Sequence, residues 1–156
     1  VVHVAAGVLS GADVAALRAA RPDVLLLVGG TDGGDGEVLL RNAGRLARMR
    51  WRVPVVLAGN AVVRDEVAAV LAAGGVPVTV AGNVLPKIGV LAPQEARAAI
   101  RQVFLRHVIG GKGLSRGPRF ASLVRAATPD AVLTGVEVLA DAVGGDLAVV
   151  DVGGAT

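Results

Sequence analysis

"VPVVLAGN" at residues 53–60 recurs as "VPVTVAGN" at 76–83, and the segment between the copies has helical period and closes on Gly74 and Gly75. Each copy is short and almost wholly apolar, as a strand of a parallel sheet covered on both faces must be. Each then ends in Gly-Asn, and Asn tolerates left-handed backbone and caps helices well. The unit reads as strand, helix, strand, with both strands pointing the same way.

The same alternation continues on either side. "VVHVA" (1–5), "DVLLLV" (23–28) and "LAVVDV" (147–152) are further strands, and Ser10 or Asp13 caps a helix that Pro22 stops. The expected fold is a doubly wound, three-layer α/β domain with a mostly parallel sheet of four or five strands, Rossmann- or flavodoxin-like. "PQEARAAIRQVFLRHVI" (93–109) places Ala96, Ile100, Val103, Phe104 and Val108 on one stripe of an amphipathic helix. "GGKG" (110–113) follows that helix as a C-cap and hinge. A short helix is expected over 119–127, and Thr128 with Pro129 opens another that closes at Gly144 and Gly145. Residues 1–145 are expected to form the α/β domain, and 146–156 a final strand that begins a further unit.

Composition narrows the function. Apolar residues make up 53% of the 156-residue chain and aromatics only 2%, so the core must be aliphatic. A stacking surface for single-stranded nucleic acid needs aromatic platforms, and nucleic acid is not expected as a partner. The net charge is +3 with Arg outnumbering Lys fourteen to two. Arg41, Arg45 and Arg48 share a helical face, either a solvated surface or a patch for phosphates or an acidic partner. The chain has no Cys, and His3 and His107 are isolated, as packed or capping residues are. No apolar run approaches a membrane span and no leader precedes the first strand, so the expected location is cytoplasmic. The chain opens without Met and ends in mid-motif, and is read as a piece of a longer protein.

In "GGTDGGDGE" (29–37), Gly29, Gly30, Gly33, Gly34 and Gly36 can turn backbone N–H groups toward an anion at a helix N-terminus. Asp32 and Asp35 oppose that unless Mg²⁺ or a donor-rich partner intervenes. The loop lacks the GK[ST] ending of a P-loop and does not align to GxGxxG. Two readings stand. In one, Gly29, Gly30, Thr31, Asp32, Gly33, Gly34 and Asp35 bind a ligand or Mg²⁺, as in a Mg-dependent phosphate- or nucleotide-binding enzyme domain. In the other the loop is a tight turn, Asp35 caps the next helix and Glu37 sits at the positive end of its dipole. Asn60 and Asn83 either mark equivalent turns or face a ligand at the carboxyl edge of the sheet.

The tail "LAVVDVGGAT" delivers Asp151, Gly153, Gly154 and Thr156 from an apolar strand. It resembles the DxGGxT phosphate loop of the actin-like and sugar-kinase-like ATPases. Four stretches together, "PDVLLLVGGTDGG", "NVLPKIGVL", "AIRQVFLRHVI" continuing to "GKGLS", and "GDLAVVDVGGAT", resemble the MutL (GlmL) family associated with adenosylcobalamin-dependent glutamate mutase, unrelated to the mismatch-repair protein of that name. The resemblance implies an ATP-dependent chaperone or reactivating partner of the mutase, with the mutase subunits as partners. ATP and Mg²⁺ would then be cofactors of the full-length protein, with Asp151, Gly153, Gly154 and Thr156 in its second phosphate loop. This chain would bind neither and would not itself be catalytic. The β-α-β opening is also similar to cobalamin-binding domains, although the DxHxxG cobalt-ligand motif is absent.

Overall fold

The computed structural model describes residues 7–109, 128–144 and 147–150. The chain divides into two compact units, Val1–Arg116 and Gly117–Thr156. The first holds three parallel strands, β1 (Leu25–Leu27), β2 (Val55–Leu57) and β3 (Val78–Val80), in the order β1-β2-β3. Leu25 pairs with Val55 and Val55 with Val78, while Leu27, Leu57 and Val80 form the next same-facing row. All three strands lie within expected runs and all point the same way.

Four helices cover this sheet on both faces: α1 (Gly11–Ala20), α2 (Glu37–Arg48), α3 (Arg64–Ala73) and α4 (Gln94–Val103). Side chains alternate across a strand, so Val55 and Leu57 face one way and Val56 the other. The first set packs with Leu17 of α1, Leu39, Ala43 and Leu46 of α2, and Val67 and Leu71 of α3. Val56 and Ala58 pack instead with Ala96, Ala99 and Val103 of α4. β2 is buried along its whole length because it lies in the middle of the sheet and under both helical layers. Burying an aliphatic side chain of this size contributes about 1.5–3 kcal/mol.

Local signals set the helix ends. Ser10 and Asp13 form a reciprocal capping box on α1, which ends at Arg21 in left-handed backbone just before Pro22. α2 carries Glu37 in its first turn and Arg45 and Arg48 in its last, the arrangement its dipole favours. Gly74 caps α3, where a side-chain carbon would meet Ala47 of α2 at 2.6 Å, and Gly75 turns the chain at φ +74. Glycine is what allows these two helices to approach there.

Several expectations change. α3 begins only at Arg64, four residues after the Gly-Asn turn, because side chains hold the amides of Ala61 and Val62 in a turn first. The residue flanking α2 is Gly36, although Asp35 still accepts from the Glu37 N–H at 2.8 Å. Ala99, not Phe104, completes the buried stripe of α4, since the chain widens into a π turn over Phe104–Ile109 and the 3.6-residue spacing fails there. His107 bonds back to the Val103 carbonyl within this turn, at 3.3 Å.

The second unit contains α5 (Thr128–Val143), which starts at the expected Thr128 and closes at Gly144, φ +70. Leu147–Val150, expected in a strand, pair with no strand among the described residues, and Val150 is 83% exposed. An apolar run specifies extended backbone but not a hydrogen-bonded neighbour. The sheet therefore has three strands among the described residues, not four or five. The expected strand at 1–5, the short helix at 119–127 and the hinge at 110–113 lie outside those residues. So do Asp151, Gly153, Gly154 and Thr156. Among the described residues no helix is long and apolar enough to cross a membrane.

Candidate functional site

Parallel strands deliver their following loops to one edge, where open α/β sheets bind ligands. Backbone bonds carry the register past the strands to that rim: Ala58 N–H donates to Leu27 O, Asn60 N–H to Gly29 O and Ala81 N–H to Leu57 O, each at 2.9 Å. The glycine loop after β1 therefore meets the two Asn turns after β2 and β3. Close packing depends on this: a side-chain carbon at Gly59 would lie 2.8 Å from the Gly29 carbonyl oxygen.

Asn60 is completely buried. Its amide Nδ2 donates to Gly34 O at 2.9 Å, and its Oδ1 accepts from Gly33 N at 3.3 Å and Val62 N at 3.0 Å. Asn83, also buried, donates through Nδ2 to Gly30 O at 2.9 Å and to Asp32 Oδ1 at 2.8 Å, and accepts from Leu85 N at 3.0 Å. Both side chains thus tie the loop to neighbouring strand exits. The site brings Gly30, Asp32, Gly33, Gly34, Asn60 and Asn83 into one hydrogen-bonded network.

The loop's own amides take part. Gly34 N–H donates to Thr31 O and Asp32 N–H to Pro86 O, both at 3.0 Å. With Gly33 on Asn60, three successive N–H groups are used within the protein. Asp32 and Asp35 are held by different segments, Asp32 by Ala61 N–H at 2.8 Å and by Asn83, Asp35 by the start of α2. Among the described residues no three His, Cys, Asp or Glu side chains are grouped to hold a metal.

Sequence reasoning missed two members of this class. Asn42 of α2 is buried and bridges Leu9 N at 2.8 Å and Gly7 O at 2.9 Å. Glu95, in the first turn of α4, accepts from Gly82 N–H at 2.7 Å, so it closes the β3 exit from the other face. Asn42 carried a detectable signal, a polar residue on the apolar face of an amphipathic helix. Glu95 carried none, because an acidic first-turn residue is already explained by its helix.

The Asn83 amide, followed by the Ala61 N–H, holds the Asp32 carboxyl below its ordinary value. Asp32 ionises more readily folded than unfolded. Its contribution to stability is thus complete above the unfolded value of about 4 and is lost as pH falls through the lower folded value. Asp32→Asn keeps an oxygen for both donors and removes the titration. Urea midpoints between pH 7 and pH 3 should therefore fall less steeply in the variant; a slope equal to that of the original protein would refute the assignment.

These features define a parallel α/β domain whose strands' carboxyl edge is tied together by buried asparagines. The family model described as MutL protein matches residues 1–156. The chain is 40% identical over 153 residues to Protein MutL of Clostridium tetanomorphum, covering 95% of this chain and 33% of that protein. It belongs to the MutL family, the one associated with glutamate mutase. The chain spans about a third of the length of the curated relative it matches. No solved structure matches it.

Proposed function

We propose that this chain is part of a cytoplasmic, ATP-dependent chaperone or reactivating partner of adenosylcobalamin-dependent glutamate mutase, and that it acts by contact with the mutase subunits. Family membership supports a role tied to the mutase. The observation that carries the contact reading is the rim, where Asn60 and Asn83 direct their polar atoms into the chain's own backbone. Such a network fixes a surface rather than presenting groups to a reacting molecule. In the full-length protein ATP with Mg²⁺ would be held by Asp151, Gly153, Gly154 and Thr156, outside the described residues.

The test uses the full-length protein and purified mutase subunits. Calorimetric titration should give a saturable complex, and addition of the protein with ATP to substrate-inactivated mutase should restore turnover. Absence of any complex would remove the proposal. Titration with Mg²⁺ and nucleotides tests the competing reading. Micromolar binding that is lost in an Asp32→Asn/Asp35→Asn variant would place a phosphate site in the glycine loop instead.

A further inference from the structure

Beside the glycine loop, the chain leaving β3 forms a tight turn that projects from the rim. Val90 N–H donates to Lys87 O at 3.0 Å, with Gly89 at φ +81, the positive φ that a type II turn requires at its third residue. Ala92 N–H closes the base on Val84 O at 2.8 Å. Asn83 holds Leu85 N–H, and Pro86 O accepts from Asp32 N–H, so the chain entering the turn is tied to the rim network, while Ala92 fixes its exit.

What this rigid turn presents is aliphatic. Ile88 is 91% exposed and Leu91 70%, with Leu85 and Val90 exposed beside them. The turn itself needs only Gly89, and polar residues at 88 and 91 would serve its backbone equally well. Each exposed aliphatic gains about 25 cal/mol for every Å² that a partner covers. A tip already fixed by hydrogen bonds loses little conformational freedom on docking.

A convex apolar tip requires a concave acceptor, and charge selects which. Lys87 sits at the tip and is exposed. One apolar concavity that a second copy would offer is an open trough of about 450 Å³ lined by Val8, Leu40 and Gly44 and bordered by Arg41, Arg45 and Arg48. Three guanidinium groups there would repel Lys87. A pocket that combines apolar walls with carboxylates complements this tip where that trough does not.

We propose that Ile88 and Leu91, with Lys87 beside them, anchor this domain in an apolar pocket bordered by carboxylates on a glutamate mutase subunit. This rests on the contact reading above and deepens it. The test measures binding of the full-length protein to each purified mutase subunit by calorimetry, with Ile88→Asp/Leu91→Asp and Lys87→Glu variants. Loss of two buried anchors should weaken binding at least about 100-fold. Lys87→Glu should weaken it roughly tenfold and flatten its salt dependence. Ile88→Ser/Leu91→Ser, which introduces no charge, should also weaken it, with unchanged thermal unfolding showing that the fold is intact. If the original protein binds no subunit, the contact reading itself fails. Binding that is undiminished in the double variants overturns only the anchor. Self-association in sedimentation, or capture by anionic phospholipid vesicles, that the double variant abolishes would identify a second copy or a membrane as the occupant and also overturn it.

Discussion

Replacing Asn60 by Asp should destabilise the first unit by about 3–5 kcal/mol at neutral pH, the range for an uncompensated buried charge. The two side chains have the same shape. The difference lies at one atom: Nδ2 donates to Gly34 O at 2.9 Å, and a carboxylate oxygen in its place would confront that carbonyl with like charge. Asn60 is wholly buried, so water cannot screen the repulsion. The acid escapes by taking a proton, whose O–H can again donate to Gly34. Its folded value is thus raised above the ordinary one, and the deficit should shrink as pH falls toward about 4. Asn60→Ala, which leaves Gly33 N, Val62 N and Gly34 O without this partner, should cost less, about 2–3 kcal/mol, and show no such relief. Urea unfolding of all three proteins at pH 7 and pH 4.5 decides this. A loss below about 1 kcal/mol for Asn60→Asp at pH 7 would mean that Asn60 does not hold the loop.

The direction of the rim was legible in the sequence because every signal involved is local. Runs such as "VPVVLA" and "VPVTVA" specify buried extended backbone, and Gly-Asn after each specifies the turn. The Ser10–Asp13 box and the Gly74–Gly75 stop are four- and two-residue signals of the same kind. Partnerships across the chain were not legible. Asn83 reaches Gly30 and Asp32 from more than fifty residues away, and Asp32 N–H meets a carbonyl next to the Lys87 turn. No periodicity encodes such pairs. The glycine loop looked like an anion nest because a run of glycines shows that N–H groups can be exposed but not what receives them. Here Asn60, Thr31 and Pro86 supply the acceptors. The stripe through Phe104 failed for a related reason, since its spacing assumed an α-helix up to the point where the chain becomes a π turn.

Two glycines of that loop separate backbone freedom from close contact, and the comparison predicts unequal losses from equal substitutions. Gly30 and Gly33 both have positive φ, +71 and +78. At Gly33→Ala the added carbon meets nothing within 4 Å among the described residues, so only the left-handed backbone penalty of about 1 kcal/mol applies. At Gly30→Ala the carbon collides with the Asp35 carbonyl oxygen and lies 3.2 Å from Asn60 Cβ. Neither neighbour can swing away, because one is backbone and the other is the side chain that fixes the loop. The loss should reach about 3 kcal/mol or more, the backbone penalty with overpacking added. Gly30 O is also an acceptor for the Asn83 amide that bonds Asp32, so a displaced Gly30 should pull that amide away and let the Asp32 carboxyl titrate nearer its ordinary value. Urea unfolding and an NMR titration of Asp32 measure the two consequences separately. Equal stability losses in the two variants would show that the loop has room to relax; an unchanged Asp32 titration in Gly30→Ala would show that Asn83 is positioned by β3 alone, and the rim would then be two independent turns instead of one network.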